Sequence, residues 1–134
     1  MMNEVVISVG SNIEAEKNVK LAEENISEIT KFIKKSNFYI TKPEVFLAQD
    51  DFLNGAFLIK TDYSFNELNS ELKKIELKQG RVKTSNVAGP RTIDLDIVVW
   101  NDEIKDENFY EWDFLKKVVL ELKPNLKNKE LETK

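Results

Sequence analysis

The chain has neither cysteine nor histidine, and its 134 residues include only two arginines, Arg81 and Arg91. Without cysteine it can form no disulfide and no thiolate metal site. Without histidine it lacks the side chain that most often serves as a base near neutral pH and as a zinc ligand. Any bound metal must therefore be held by oxygen atoms, which favours a hard cation such as Mg²⁺.

Long apolar runs and an excess of positive charge are also missing. No apolar stretch approaches the roughly 20 residues that span a membrane. The N-terminal segment has neither a basic region nor the form of a signal peptide. The net charge of −4 argues against a general nucleic-acid binder. We therefore expect one cytoplasmic domain over residues 1–134, monomeric, binding neither membrane nor nucleic acid.

The hydrophobic pattern predicts alternating strands and helices. Apolar residues spaced three or four apart predict a helix over residues 14–34. Ser64 and Glu67 form a capping-box pattern that starts a second helix, and Gly80 is placed to end it. A short helix is expected at 112–122, followed by a polar tail that frays. Strands are predicted at 4–10, 36–41, 52–60 and 92–100.

This order, β-α-β-β-α-β, is that of the ferredoxin-like fold. It predicts an α+β domain with an antiparallel sheet and both main helices on one face. The short C-terminal helix is expected to cover part of the other face. The rest of that second face is left for a functional site.

The stretch GPRTIDLDI, residues 89–97, combines a turn with a strand that carries two aspartates. Because side chains alternate along a strand, Ile93, Leu95, Ile97 and Val99 are expected to pack under the helices. Thr92, Asp94, Asp96 and Val98 then share the other face, with the two carboxylates roughly 6–7 Å apart. That separation suits one metal ion, or two ions bridged by substrate oxygens.

Two interpretations of this aspartate pair remain open from the residues alone. The pair could simply face solvent on an exposed sheet. However, aspartate is depleted in strands, and two like charges on one face repel each other. Residues 73–91 also hold six cationic side chains against the single carboxylate of Glu76. Part of that charge can be a solvated helix face, but cations beside acidic residues suit a complex of a metal with a polyphosphate.

The same stretch closely resembles the signature of the 6-hydroxymethyl-7,8-dihydropterin pyrophosphokinase family of folate biosynthesis. The resemblance extends to VISVGSNIE, SNFYITKP, DFLNGAFLIK and LKKIELKQGR, and covers roughly residues 4–100. It implies a ferredoxin-like enzyme that transfers pyrophosphate from ATP to the hydroxymethyl group of the dihydropterin and releases AMP. Two Mg²⁺ ions take part in this family.

The resemblance also assigns catalytic and nucleotide-binding roles. It implies that Asp94 and Asp96 hold both metal ions, and that Arg81 and Arg91 contact the phosphates. Forked arginine donors suit phosphate oxygens. On the nucleotide side it places Lys73, Glu76, Lys83 and Ile97. Ordinary loop charge is the alternative interpretation for Arg81 and Lys83.

On the pterin side the resemblance implies binding by Thr41, Pro43, Phe52, Asn54 and Phe114. The amide of Asn54 has both donors and acceptors, which suits the edge of a pterin. Alternatively, Leu53-Asn54-Gly55 only marks a bend in the strand. The two phenylalanines are candidates for ring stacking, and either could instead be core. Residues 42–51 and 81–90 are expected to be lids that exclude water.

The C-terminal part departs from the family pattern. The family's Pro-His pair and a third arginine after the metal strand are missing. Each lost charged contact weakens binding of the transition state by about 1.5–3 kcal/mol. Lys105, Lys116 and Lys117 are the possible substitutes. The sequence thus predicts a working enzyme of reduced activity; the alternative is a non-catalytic relative that binds pterin or nucleotide for regulation.

Overall fold

The computed structural model describes residues 2–41, 51–80 and 92–126. Its strands are β1 Asn3–Ser11, β2 Lys31–Lys35, β3 Tyr39–Thr41, β4 Phe52–Thr61, β5 Asp94–Trp100 and β6 Glu103–Ile104. Its helices are α1 Ala15–Ile29, α2 Phe65–Lys78, α3 Asn108–Glu111 and α4 Asp113–Leu122. Over the described ranges, no helix is both long and apolar enough to cross a membrane.

The strands form one antiparallel sheet in the order β2-β4-β1-β5-β6, and β3 also pairs with β4. β2 and β3 act as two halves of one edge strand. Between them, the Ser36 N–H donates to the Ala56 carbonyl at 2.9 Å. If β2 and β3 count as one strand, the order is ferredoxin-like, so the predicted fold class is confirmed.

The sheet has a hydrophobic layer on each face. On the first face, α1 and α2 cover a core that includes Ile7, Phe57 and Leu95. On the second face, α4 covers Val6, Ala56, Leu58, Val98 and Val99. The two main helices therefore share one face and the C-terminal helix lies on the other, as predicted. Part of the second face therefore lies outside the apolar layer under α4.

The prediction that the first helix runs to residue 34 is wrong. α1 ends at Ile29, and Thr30 has extended backbone. Lys31–Lys35 is β2, which pairs with β4. The ring of Phe32 packs edge-on against Phe57 with centroids 5.2 Å apart. The helical spacing of Ile33 was coincidental, because that side chain is 40% exposed on the edge strand.

The predicted face of Val99 is also wrong. The pairing of β1 with β5 shifts between Val6 and Ile7, so that Ile97 faces Ile7 while Val99 faces Val6. The shift inserts one extra residue into β5, which is a β-bulge. Val98 and Val99 both join the core under α4. Ile93, Leu95 and Ile97 lie in the core under α1 and α2, as predicted.

The second helix begins and ends as predicted. The Ser64 side chain accepts from the Glu67 N–H, and Glu67 accepts from the Ser64 N–H, which completes a capping box. Gly80 has a positive φ of 96° beyond the helix end. The pattern missed the short elements β6 and α3. It also wrongly assigned residues 123–126 to a frayed tail, because Leu126 is buried in the core under α4.

Candidate active site at one end of the sheet

Two rows of paired residues cross the sheet near the candidate site. In the first row, Gly10 of β1 lies between Asn54 of β4 and Asp94 of β5. In the second row, Ser8 lies between Ala56 and Asp96. Directly opposed residues of antiparallel strands share a face. Because Ala56 belongs to the core under α4, the second face of the sheet carries Asn54, Asp94 and Asp96.

Asn54 is held in place by its neighbours. Its Nδ2 donates to Thr41 Oγ1 at 2.5 Å. Its Oδ1 lies 2.6 Å from the position that a Cβ on Gly10 would occupy. Gly10 therefore leaves room for the amide to lie across β1. The residue sits inside regular strand pairing, which excludes the interpretation that Leu53-Asn54-Gly55 only marks a bend.

Gly10 is a residue of the candidate site that the sequence reasoning missed. The predicted strand 4–10 ends at Gly10, yet β1 extends to Ser11. A glycine inside a strand pattern often marks a close approach of another group. That signal was available at residue 10.

Ser11 is a second missed residue. It is completely buried. Its Oγ lies 2.6 Å from the Thr92 carbonyl and 3.2 Å from the Ile13 carbonyl. One hydroxyl thus ties the end of β1 to the residues that lead into β5. This contact helps to fix the position at which β5 begins, at Asp94.

The two predicted stacking residues lie on different elements. Phe52 pairs with Thr41, and alternation along β4 places it on the same face as Asn54. Phe114 belongs to α4, packs against the core under that helix, and stacks on Trp112 with centroids 5.7 Å apart. Both rings are half-buried, so each retains an open part.

Asp96 is the better defined of the two candidate metal ligands. Its side chain is 47% exposed, and Oδ1 lies 3.3 Å from Lys73 Nζ. Asp94 is half-buried and also makes contacts. In the described parts of the chain, no three acidic side chains come together as a ready metal cage. Two carboxylates with room for substrate oxygens fit Mg²⁺, which usually binds through one or two carboxylates together with phosphates and water.

Lys73 and Glu76, both predicted on the nucleotide side, bind the outer margin of β5. Glu76 is 3% exposed and accepts from the Leu95 N–H at 2.8 Å. Lys73 Nζ donates to the Leu95 carbonyl at 3.0 Å and to Glu76 at 3.1 Å. Leu95 lies between the two aspartates. One turn of α2 therefore fixes the strand segment that carries them.

The pKa of Lys73 lies above its ordinary value. Burial alone would lower this pKa, because it disfavours the charged ammonium. The carboxylates of Asp96 and Glu76 outweigh that effect. Lys73 is therefore a permanent positive charge beside Asp96 at neutral pH.

An open groove of about 320 Å³ borders Asp96 and runs along the outer side of β5. Asp96, Ile97 and Lys105 contribute to its lining, as do Phe65, Asn69, Asp106, Glu107 and Asn108. Of the possible substitutes for the missing cations, Lys105 lies in this groove. Lys117 instead covers the Tyr39 ring, with Nζ 4.2 Å from its centroid.

The structure thus brings together two groups of predicted residues. Thr41, Phe52 and Asn54 lie at one end of the second face, and Asp94 lies in the same row as Asn54. Asp96, Ile97, Lys73 and Glu76 lie along β5 and α2. Pro43, Arg81, Lys83 and Arg91 lie outside the described residues, as do the predicted lids apart from residue 51.

Comparison with known proteins identifies a family for this chain. Residues 6–124 match the family model described as 7,8-dihydro-6-hydroxymethylpterin-pyrophosphokinase. The chain is 32% identical over 109 residues to 2-amino-4-hydroxy-6-hydroxymethyldihydropteridine pyrophosphokinase of Pseudomonas aeruginosa. It is 37% identical over 101 residues to the protein of that name from Haemophilus influenzae. A folic acid synthesis protein of Dictyostelium discoideum is 34% identical over 103 residues.

These matches cover most of this chain but less of the relatives. They span 79%, 73% and 70% of the chain, in the same order. They span 67% and 62% of the two bacterial proteins and 16% of the Dictyostelium protein. The family model alone covers well over half of the sequence. The chain therefore belongs to the 7,8-dihydro-6-hydroxymethylpterin-pyrophosphokinase family.

Proposed function

We propose that this protein transfers the pyrophosphoryl group of ATP to the hydroxymethyl group of 6-hydroxymethyl-7,8-dihydropterin, within a single domain over residues 1–134. The hydroxymethyl oxygen forms a bond to the β-phosphorus of ATP. The bond from that phosphorus to the oxygen of the α-phosphate breaks, and AMP leaves. The hydroxyl proton is released. The observation that carries this proposal is the row of Asn54, Gly10 and Asp94, which joins the proposed pterin and metal positions across three strands.

The pterin is proposed to bind over the Asn54 end of the sheet. The Asn54 amide, oriented by Thr41 at 2.5 Å, supplies a donor and an acceptor for the pterin edge. Phe52 and Phe114 supply ring faces for stacking. The Asn54 amide and these two rings are proposed to orient the hydroxymethyl group toward Asp94. This places the attacking oxygen near the proposed metal position, as the reaction requires. Pro43 completes the proposed pterin contacts.

The nucleotide is proposed to lie along the outer side of β5. The groove beside Asp96 and Ile97 leads there, and Lys105 supplies a cation within it. Lys73 and Glu76 belong to the same side, and Arg81, Lys83 and Arg91 are proposed to contact the phosphates. Asp94 and Asp96 are proposed to hold two Mg²⁺ ions. When bound, magnesium would neutralise the triphosphate and make the attacking hydroxyl more acidic.

The first experiment measures AMP formed from ATP and 6-hydroxymethyl-7,8-dihydropterin in the presence of Mg²⁺. We expect turnover, at a rate reduced by the missing histidine and third arginine. Absence of AMP at high enzyme and Mg²⁺ concentrations would contradict the catalytic proposal. If pterin or an ATP analogue still bound in calorimetry, the alternative of a non-catalytic binding relative would replace it.

The Asp96→Asn variant tests the metal assignment. It keeps the size of the side chain and removes its negative charge. We expect turnover to fall by more than the about 10- to 100-fold that is typical of losing a mere supporting contact at a metal site. The matched control is Asp62→Asn, an exposed aspartate in the turn after β4. Equal activity of the two variants would show that Asp96 is not a metal ligand.

A further inference from the structure

Lys73 stands out because its ammonium group is bonded to three different acceptors at once. Nζ lies 3.0 Å from the Leu95 carbonyl, 3.1 Å from Glu76 Oε2 and 3.3 Å from Asp96 Oδ1. A lysine ammonium has three N–H donors and no acceptor. All three donors are therefore in use, and one of them is used on a proposed metal ligand.

The three contacts differ in their surroundings. The Glu76 side chain is 4% exposed and the Asp96 side chain is 47% exposed. A buried carboxylate needs a charged partner far more than an exposed one does, because water cannot replace that partner. The Asp96 contact is also the longest of the three. Asp96 is thus the acceptor that Lys73 can give up most easily, while Glu76 and Leu95 keep the side chain anchored.

We propose that Lys73 is an exchangeable counter-ion, which neutralises Asp96 when no metal is bound and releases it when a divalent cation binds. This inference rests on the proposed function, since it takes Asp96 as a metal ligand. Release leaves one N–H donor of Lys73 free beside the groove that Asp96 borders. That donor is then available to the phosphate oxygens of the nucleotide. Lys73 would in this way replace part of the positive charge of the missing third arginine.

The exchange has two consequences of opposite sign. The positive charge of Lys73 competes with a metal ion for Asp96, so it weakens metal binding in the absence of nucleotide. The same charge attracts a polyphosphate, so it strengthens nucleotide binding. A lysine that only stabilised the fold would produce neither effect selectively.

The test compares Lys73→Gln with Lys74→Gln. Both changes remove one positive charge from α2, but Lys74 is exposed and pairs with Glu71 at 2.9 Å. Binding of Mn²⁺ alone is followed by electron paramagnetic resonance. Binding of a non-hydrolysable ATP analogue in EDTA is followed by calorimetry. Circular dichroism melting of each variant checks that it is folded.

We expect Lys73→Gln to bind Mn²⁺ about 3- to 10-fold more tightly than the parent protein, as removal of a partly exposed charged competitor predicts. It should bind the metal-free ATP analogue more weakly, because Asp96 then faces the phosphates without a neutralising charge. Lys74→Gln should match the parent protein in both measurements. Lys73→Arg keeps the charge and should retain the weaker Mn²⁺ affinity of the parent.

Unchanged or weaker Mn²⁺ binding by folded Lys73→Gln would overturn the counter-ion role and leave the proposed function intact. So would Mn²⁺ binding by Lys73→Arg that is as tight as that of Lys73→Gln. If neither the parent protein nor the variant bound Mn²⁺ without nucleotide, the counter-ion role would be contradicted, while a metal site completed by phosphate oxygens would remain.

Discussion

At the scale of single residues, two glycines in neighbouring strands serve different purposes. Gly10 leaves space for the Asn54 amide, and Gly55 leaves space for the Phe38 ring. A Cβ on either residue would lie 2.6 Å from its neighbour. The Phe38 ring packs near Phe57, with centroids 6.0 Å apart. Gly10 therefore supports the proposed pterin site, while Gly55 supports the core.

This difference predicts opposite outcomes for two alanine variants. Gly10→Ala should displace the Asn54 amide from Thr41 and weaken pterin binding, with a small change in stability because the displaced group is a side-chain end. Gly55→Ala should cost about 1–3 kcal/mol, which is typical of overpacking. Urea unfolding and pterin titration of both variants provide the measurements. Unchanged pterin affinity in Gly10→Ala would contradict the positioning of Asn54 by Gly10.

At the scale of elements, α2 is the helix whose ends were predicted best. Its side chains also contact the strand that carries the two aspartates. The pattern Ser64-x-x-Glu67 placed its start, and Gly80 placed its end. The same helix then carries Lys73 and Glu76 to β5. A local signal of a few residues was sufficient here, because capping depends on neighbouring backbone groups alone.

The capping box of α2 can be tested by itself. Ser64→Ala removes the acceptor for the Glu67 N–H, which lies 3.2 Å from Ser64 Oγ. We expect the free energy of unfolding to fall by about 1 kcal/mol. Ser70→Ala, in the exposed middle of the same helix, should leave stability unchanged or raise it slightly. Urea denaturation of both variants distinguishes the cap from a general effect of serine loss.

The elements that sequence reasoning got wrong depend on distant partners. The periodicity of residues 15–33 continued the helical spacing, but β4 offered pairing to residues 31–35. The bulge that moves Val99 to the other face arises from its pairing with β1. Neither partner is visible from the local pattern. By contrast, the aspartates were placed correctly because they precede the bulge.

At the scale of the whole molecule, Lys123 joins the residue that follows α4 to β1 and to the turn after β5. This side chain is 10% exposed and pairs with Glu4 at 2.9 Å and with Asp102 at 2.8 Å. It also donates to the Asn101 carbonyl. Burial alone would lower the pKa of Lys123, but the two carboxylates outweigh it and the pKa is raised above 10.5. The lysine follows α4 directly and so fastens that helix to β1.

The raised pKa predicts a loss of stability at alkaline pH. The unfolded chain releases the Lys123 proton near 10.5, before the folded chain does. The contribution to folding is therefore complete below that pH and declines as the pH rises through the higher folded value. In Lys123→Gln, the part of the decline in stability that deprotonation of Lys123 causes should be missing. Urea unfolding of both proteins at about pH 9 and about pH 11.5 measures it, and parallel declines would contradict the role of Lys123.

The resemblance to a known family supplied site assignments that the residues alone left open. It named Asn54 and the two aspartates, and the topology then placed Asn54 and Asp94 in one row. Neither the resemblance nor the pattern indicated that Lys73 bonds to Asp96. That contact depends on how α2 lies against β5, which follows from packing of the whole core.

On the outer edge of β5, the backbone N–H and carbonyl of Leu95 are hydrogen-bonded by two side chains instead of by another strand. Bare strand margins recruit foreign strands and start aggregation, and proteins commonly block them with charge. Here a carboxylate and an ammonium occupy the backbone groups that an intruding peptide would need. The contacts of Glu76 and Lys73 thus block this edge and also hold the strand segment that carries Asp94 and Asp96, the two proposed metal ligands. Substitutions at Glu76 should for this reason reveal themselves first as insoluble protein during expression.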